Sequence, residues 1–150
     1  MEDAREPTVK ALPVSSGPVF CPTFRYVDAP RAIDWLVEAF GFEKHAAYPN
    51  PDGSIAHAQL VFGAGVLMVG SADNAGPWTV RSSQELNGVA TGGVYVTLER
   101  DEDVDRHCER ARATGATIVQ EPADADYGGR GYSVRDLEGH SWSFGSYRPR

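Results

Sequence analysis

Histidines, cysteines and one acid-rich turn carry the chemistry this chain could do. The histidines are His45, His57, His107 and His140, and the cysteines are Cys21 and Cys108. Imidazole suits proton transfer or metal ligation near neutral pH, and a thiolate can act as nucleophile or soft ligand. The stretch V-R-D-L-E-G-H-S-W-S-F-G-S-Y, residues 134–147, gathers a histidine, two acids and three serines. Such a segment could be a catalytic hairpin, a ligand strand or the lining of a pocket. The cysteines form no C-x-x-C pair and no disulfide framework. G-A-G at 63–65 lacks the spacing of a phosphate- or dinucleotide-binding loop. No G-x-S-x-G nucleophile elbow occurs.

The elements that would hold these residues follow from periodicity and turn chemistry. Residues 19–27, V-F-C-P-T-F-R-Y-V, alternate as a strand. Asp28 is a cap and Pro30 fits a first turn, so a helix follows. Ile33, Leu36, Val37 and Phe40 repeat at helical spacing until Gly41 stops it. Residues 42–48 are extended, P-N-P-D-G is a turn, and 55–62 with 66–69 flank G-A-G as a hairpin. The second half repeats this order. Residues 93–98 form a strand, and 101–114 a helix with Val104, Cys108 and Ala111 inward. Extended segments follow at 117–120, 132–136 and 141–147. Gly41 recurs as Gly115 and Gly65 as Gly139 at one constant offset, the mark of an internal repeat. The expectation is an α+β fold of two βαβββ modules forming a curved mixed-sheet trough with helices on its convex side. Residues 1–17 read as a flexible N-terminal arm and 18–150 as a single domain. Module one spans 18–70, a connector 71–91, and module two 92–148.

Bulk properties narrow the classes of partner. The chain has 150 residues with a formal charge of −7 and a pI near 5.0. That balance argues against a nucleic acid or an anionic membrane surface. Cysteine usage fits a reduced, cytoplasmic compartment. The acidic N-terminus lacks the apolar core of a secretory signal, and no apolar run is long enough to span a bilayer.

V-D-A-P-R-A-I-D-W-L-V-E-A-F-G-F after the first strand, H-A-Q-L-V-F-G-A-G-V-L-M-V-G at 57–70 and R-D-L-E-G-H-S-W-S-F-G near the end together resemble the vicinal-oxygen-chelate superfamily. That group includes glyoxalase I, extradiol dioxygenases and bleomycin-resistance proteins. The resemblance covers residues 19–147 and is specific for the fold more than for a function. Metal-dependent members keep imidazole or carboxylate donors at four equivalent strand positions. Carried over, those positions fall on Cys21, Gln59, Val94 (or Val96 after a two-residue slip) and Ser143. The resemblance therefore implies a dismantled metal site, with no metal and no cofactor expected. It also implies a homodimer, because in bleomycin-resistance proteins the ligand groove commonly lies between two subunits.

Strand parity assigns the remaining roles. Cys21, Thr23, Arg25, His57, Gln59, Val94, Val96, Ser141, Ser143 and Tyr147 are expected to face the trough, with Trp78 folding over its mouth. Arg25 could pair with a ligand carboxylate or phosphate, and His57 could serve as ligand donor or general base. Cys21, between Phe20 and Pro22 with no local cation, reads as a buried neutral thiol. His45 and His107 read as surface residues. Asp136 and Glu138 read as solvated turn formers at a hairpin tip. His140 shares the convex-side parity of Trp142 and Phe144. The expected function is metal-independent binding of a small organic molecule, with an antibiotic or other aromatic or cationic compound in view and no catalytic residue assigned. The alternative is a glyoxalase- or dioxygenase-like enzyme with a relocated metal or none, using His57 or Arg25.

Overall fold

The computed structural model describes residues 12, 13, 15–73 and 80–150. Trp78, expected over the trough mouth, lies outside the described residues, as does most of the expected N-terminal arm.

The strands are β1 (Thr23–Tyr26), β2 (Glu43–Pro49), β3 (Ile55–Phe62), β4 (Gly65–Ser71), β5 (Gly93–Thr97), β6 (Thr117–Asp124), β7 (Arg130–Arg135) and β8 (Ser141–Gly145). The helices are α1 (Ala29–Phe40) and α2 (Asp101–Ala113). The sheets run β1-β4-β3-β2 and β5-β8-β7-β6, each with one parallel pair, β1 with β4 and β5 with β8. The duplicated α+β architecture is therefore present. The first strand is shorter than alternation suggested, because Pro18 and Pro22 interrupt the donors its N-terminal part would need. The Pro22 carbonyl still accepts from Met68 N–H (2.9 Å), while Val19 and Phe20 are left exposed.

Both helices begin and end for local reasons. Asp28 accepts from Arg31 N–H at 3.2 Å as the cap of α1, and Pro30 stands in its first turn. Gly41 closes α1 in the left-handed region at φ 84°, which a residue with a Cβ adopts only under strain. The buried faces of α1 and α2, led by Ile33, Leu36, Phe40, Val104 and Cys108, meet the inner faces of both sheets in one core. Phe40 contacts Trp142 and Phe144 of β8 with ring centroids 5.3 and 4.8 Å apart, so an aromatic from module one sits against module two's strand. Burial pushes the Cys108 thiol up. No helix among the described residues is long and apolar enough to cross a membrane.

Two expectations about the joint between the halves are overturned. Asp136 and Glu138 are buried. The Asp136 carboxylate accepts from Tyr26 O–H (2.5 Å), Trp142 Nε1–H (3.0 Å) and the backbone N–H groups of Glu138 and His140 (3.0 and 3.1 Å). Glu138 accepts from Val27 N–H, Asp28 N–H and Ser82 O–H at 2.7, 2.9 and 2.5 Å. The turn is a tip only within its own sheet. The β1–α1 junction of the other module docks onto it and supplies donors that local sequence cannot reveal. Burial pushes the Asp136 carboxyl up, and its Tyr26 bond leads the interactions that oppose the rise. Burial, reinforced by the Asp136 charge, raises Tyr26 well above the usual phenol range.

His107 is the second correction. Its ring leaves the surface and bridges Tyr132 O–H (2.6 Å) and the Phe40 carbonyl (2.7 Å). The carbonyl can only accept, so Nε2 carries the proton and Nδ1 accepts from the phenol. Burial holds the imidazole below its ordinary value and therefore neutral.

Candidate functional site

The outer, concave face of each sheet is built by the residues that alternate with the core. On the first sheet, register pairs Thr23 with Met68 and Arg25 with Gly70, and β3 places Gln59 beside Met68. Their partners in the other parity, Phe24, Ala58 and Val69, pack into the core. The structure thus brings Thr23, Arg25, His57 and Gln59 to one face. A recess of about 60 Å³ there is lined by Thr23, Arg25, His57, Met68 and Gly70, among others. Gln59 Nε2 lies 3.1 Å from His57 Nε2, and Tyr48 of β2 stacks on the His57 ring at 6.1 Å. Cys21 precedes β1 rather than lying in it. It is half-buried, with its thiol directed to the Pro18 carbonyl at 3.8 Å, so it is neither fully buried nor a strand residue.

On the second sheet Ser141 and Ser143 face outward as expected, but Val94 and Val96 do not share their face. Register pairs Val94 with Trp142 and Val96 with Phe144, which places both valines against the core. Tyr95 stands beside Ser143 in their place. Strand parity, counted from a ligand position that the resemblance sets on Val94 or Val96, assigns both valines to the open face. Plain alternation in G-V-Y-V-T, apolar at 94 and 96, was the signal that would have found Tyr95. Val94 and Val96 instead line an apolar cleft of about 400 Å³ between the halves, with Phe20, Phe42, Phe62 and Leu67.

The concave face of the second sheet holds a depression of about 390 Å³. Its floor includes Ser133 and Ser143, whose hydroxyls lie 3.0 Å apart. Three tyrosines wall it. Tyr95 O–H reaches across Gly145 to donate to the Tyr147 carbonyl (2.6 Å), and Tyr127 meets Tyr147 edge-on at 4.8 Å. A Cβ on Gly145 would fall 2.7 Å from the Tyr95 hydroxyl, so that glycine makes the crossing possible. Burial pushes the Tyr95 phenol up. Asp124, Asp126 and Arg130 stand in the lining beside Gln120, with Arg130 paired to Asp124 at 3.2 Å. Tyr147 was expected here. Tyr95 was missed for the reason given above, and Tyr127, Ser133 and Gln120 because the β6–β7 segment carried turn chemistry and no other motif.

His140 is buried, as its parity with Trp142 implied. It stacks on Phe24 at 4.3 Å, donates from Nε2 to the Arg25 carbonyl (2.9 Å), and meets Ser83 Oγ through Nδ1 (3.2 Å). It serves the joint between modules. His45 is exposed on β2.

A metal of the kind the resemblance implies would need three or more donors converging. The positions that would supply them hold Cys21, Gln59 and Ser143, with Tyr95 rather than either valine on the open face of β5. Among the described residues no group of three or more His, Cys, Asp or Glu side chains is gathered for an ion. These residues do not fit the metal, and no step is derived through one.

Comparison with known proteins bears on this geometry. The model of the Glyoxalase/Bleomycin resistance protein/Dioxygenase superfamily matches residues 22–144. A solved structure of TioX from Micromonospora sp. ML1 is 38% identical, covering 89% of this chain and 100% of TioX with a TM-score of 0.64. An uncharacterised protein of Mycobacterium bovis is 31% identical over 135 residues, 89% of this chain and 86% of its own length. The fosfomycin resistance protein FosX of Mesorhizobium loti shares the fold, with 16% identity, a TM-score of 0.61, and coverage of 90% of this chain and 95% of FosX.

Proposed function

We propose, since this chain belongs to the Glyoxalase/Bleomycin resistance protein/Dioxygenase superfamily, that it binds a small organic molecule on its concave sheet faces without a catalytic metal. The carrying observation is the second-sheet depression. Tyr95, Tyr127 and Tyr147 offer flat walls around the Ser133–Ser143 hydroxyl pair, where metal-using relatives would need a carboxylate. Aromatic walls with a few convergent hydroxyls orient a planar ligand by stacking and hydrogen bonds. Arg130 in the same lining pairs with Asp124 at 3.2 Å, which leaves Asp126 and the net charge of −7 to favour a ligand that also carries positive charge. Sequestration of an antibiotic or another aromatic or cationic compound is the activity this lining supports. It needs tight binding and no reacting group.

Titration of intrinsic fluorescence against glycopeptide and aromatic antibiotics tests the reading. A saturable change at micromolar concentration is expected from at least one, and silence from the whole panel overturns it. Metal analysis of the purified protein addresses the enzymatic alternative. Stoichiometric zinc, nickel, manganese or iron would replace the binding reading with a glyoxalase- or dioxygenase-like one.

A homodimer belongs to the same proposal. Among the described residues the strands β1, β2, β5 and β6 each have one edge with no partner strand, and Phe20, Tyr48 and Val119 are exposed beside them. Open edges and apolar surface of this kind are covered by association. Light scattering should return twice the 16.2 kDa of one chain, and a monomeric mass at micromolar concentration would refute it.

A further inference from the structure

We infer that the concave face of the first sheet is an oxyanion site anchored by Arg25, distinct from the second-sheet depression, and that it takes a carboxylate or a phosphate-type group. This rests on the reading of the chain as a small-molecule binder. Arg25 lies opposite Gly70 in the β1–β4 register. A Cβ on Gly70 would fall 2.2 Å from Arg25 Nη1 and 3.1 Å from Cζ, so the guanidinium lies flat on the strand in a berth that only glycine leaves open. Gly145 makes the same kind of room for Tyr95 on the second sheet.

Among the described residues the charge of Arg25 is poorly answered. Arg100, Arg112 and Arg130 each pair with carboxylates, Asp103, Glu121 and Asp105 respectively. Among the described residues Arg25 has a single long contact, Nη1 to the Ser71 carbonyl at 3.4 Å. Among the described residues no carboxylate comes within ion-pair distance of it. A half-buried guanidinium keeps a planar fork of donors suited to two oxygens at once.

Its neighbours are donors too. The Gln59 amide nitrogen can only donate, so at 3.1 Å the His57 Nε2 accepts and Nδ1 carries the proton. Tyr48 stacks on that ring, and the Thr23 hydroxyl is exposed on the same face. Guanidinium, imidazole N–H and hydroxyl converge, and no acid lines the recess. Such a set recognises an oxyanion and repels nothing but a cation.

The test titrates the full chain with benzoate and with phenylphosphonate at low chloride, following the His57 imidazole C–H and Arg25 Nε–H resonances. Benzamidine, followed by tyrosine fluorescence, is the cationic control on the second sheet. Saturable shifts are expected from at least one oxyanion, and the tighter of the two assigns carboxylate or phosphate-type chemistry. Arg25→Gln should weaken that binding at least tenfold, and Arg25→Lys less. Gly70→Ala should also weaken it, and only the mobile end of Arg25 obstructs the new methyl, so its melt should stay close to wild type. Equal oxyanion affinity in wild type and Arg25→Gln overturns the inference. If benzamidine binds while neither oxyanion moves His57, the inference fails and the small-molecule reading survives. If no probe binds either face, the inference falls, and the small-molecule reading falls with it only if the antibiotic panel is silent as well.

Discussion

Replacing Glu138 with alanine asks whether the D-L-E-G-H turn is a solvated tip or the clasp between the two modules. In the structure its carboxylate holds three donors, two backbone N–H groups at the entry to α1 and the Ser82 hydroxyl. Hydrogen bonds to an ionised acceptor contribute about 1.5 kcal/mol or more each, so three give about 4.5 kcal/mol at the lower bound. Val27 and Asp28 are exposed residues, and water can answer part of their loss. Ser82 is fully buried and has no such recourse. The expected cost is therefore about 3 kcal/mol. For a domain of this size that lowers Tm by about 6–12 °C.

Urea unfolding followed by circular dichroism measures it directly. The expected midpoint falls at unchanged slope, because the clasp contributes stability without altering the surface exposed on unfolding. Glu138→Gln, which keeps one acceptor oxygen, should cost about half as much. Ser82→Ala with Glu138→Ala should be less than additive by about 1 kcal/mol, since the pair shares one bond. A Glu138→Ala variant within about 0.5 kcal/mol of wild type is what an exposed turn would give, and it would refute the clasp.

Other consequences are open to measurement. Trp142 is 1% exposed, so Trp142→Ala should cost about 3–5 kcal/mol, and a melt matching wild type would refute its burial. His107 is held below its ordinary value by burial, so the unfolded chain takes up this proton first as pH falls. Stability tied to His107 is present above about pH 6.5 and declines below it by at most about 1.4 kcal/mol per pH unit. His107→Phe should flatten that slope, and an unchanged slope in guanidinium melts across the window would refute the assignment. Gly145→Ala should displace the Tyr95 hydroxyl and press on the Arg130 carbonyl, 2.9 Å from the new methyl. It is expected to weaken any ligand of the second sheet and lower stability together, and a variant with wild-type fluorescence titrations would refute the role of Tyr95.

What the chain's order revealed and what it hid divide along range. The helices, their stops at Gly41 and Gly115, and the core stripe of Val104, Cys108 and Ala111 are written within a few residues of one another, and the structure has them there. Thr23, Arg25, His57 and Gln59 needed only strand parity, and they do share a face. Val94 and Val96 failed because equivalence to a ligand position outweighed the apolar alternation of β5 itself. Asp136, Glu138 and His107 failed for a different reason. Their partners Tyr26, Val27 and Phe40 come from the other module, and two polar groups that satisfy each other over that separation look, one at a time, like surface residues.

Four of the titratable groups that looked chemical thus serve the joint. Asp136, Glu138 and His140 have their hydrogen-bonding capacity taken up by Tyr26, Trp142, Ser82, Ser83 and backbone of the β1–α1 junction. His107 is taken up by Tyr132 and Phe40. A group fully engaged in this way can neither exchange protons with a ligand nor be spared without loss of stability. Polar capacity left over for a guest lies on the two concave faces, and it differs between them. The first offers the Arg25 guanidinium and the His57 N–H, while the second offers tyrosine walls, serine hydroxyls and Asp126. The duplication kept one backbone plan, with a glycine on β4 and on β8 clearing space for a long side chain from the neighbouring edge strand. The residue occupying that space, arginine in one half and tyrosine in the other, is what makes the two faces choose different chemistry.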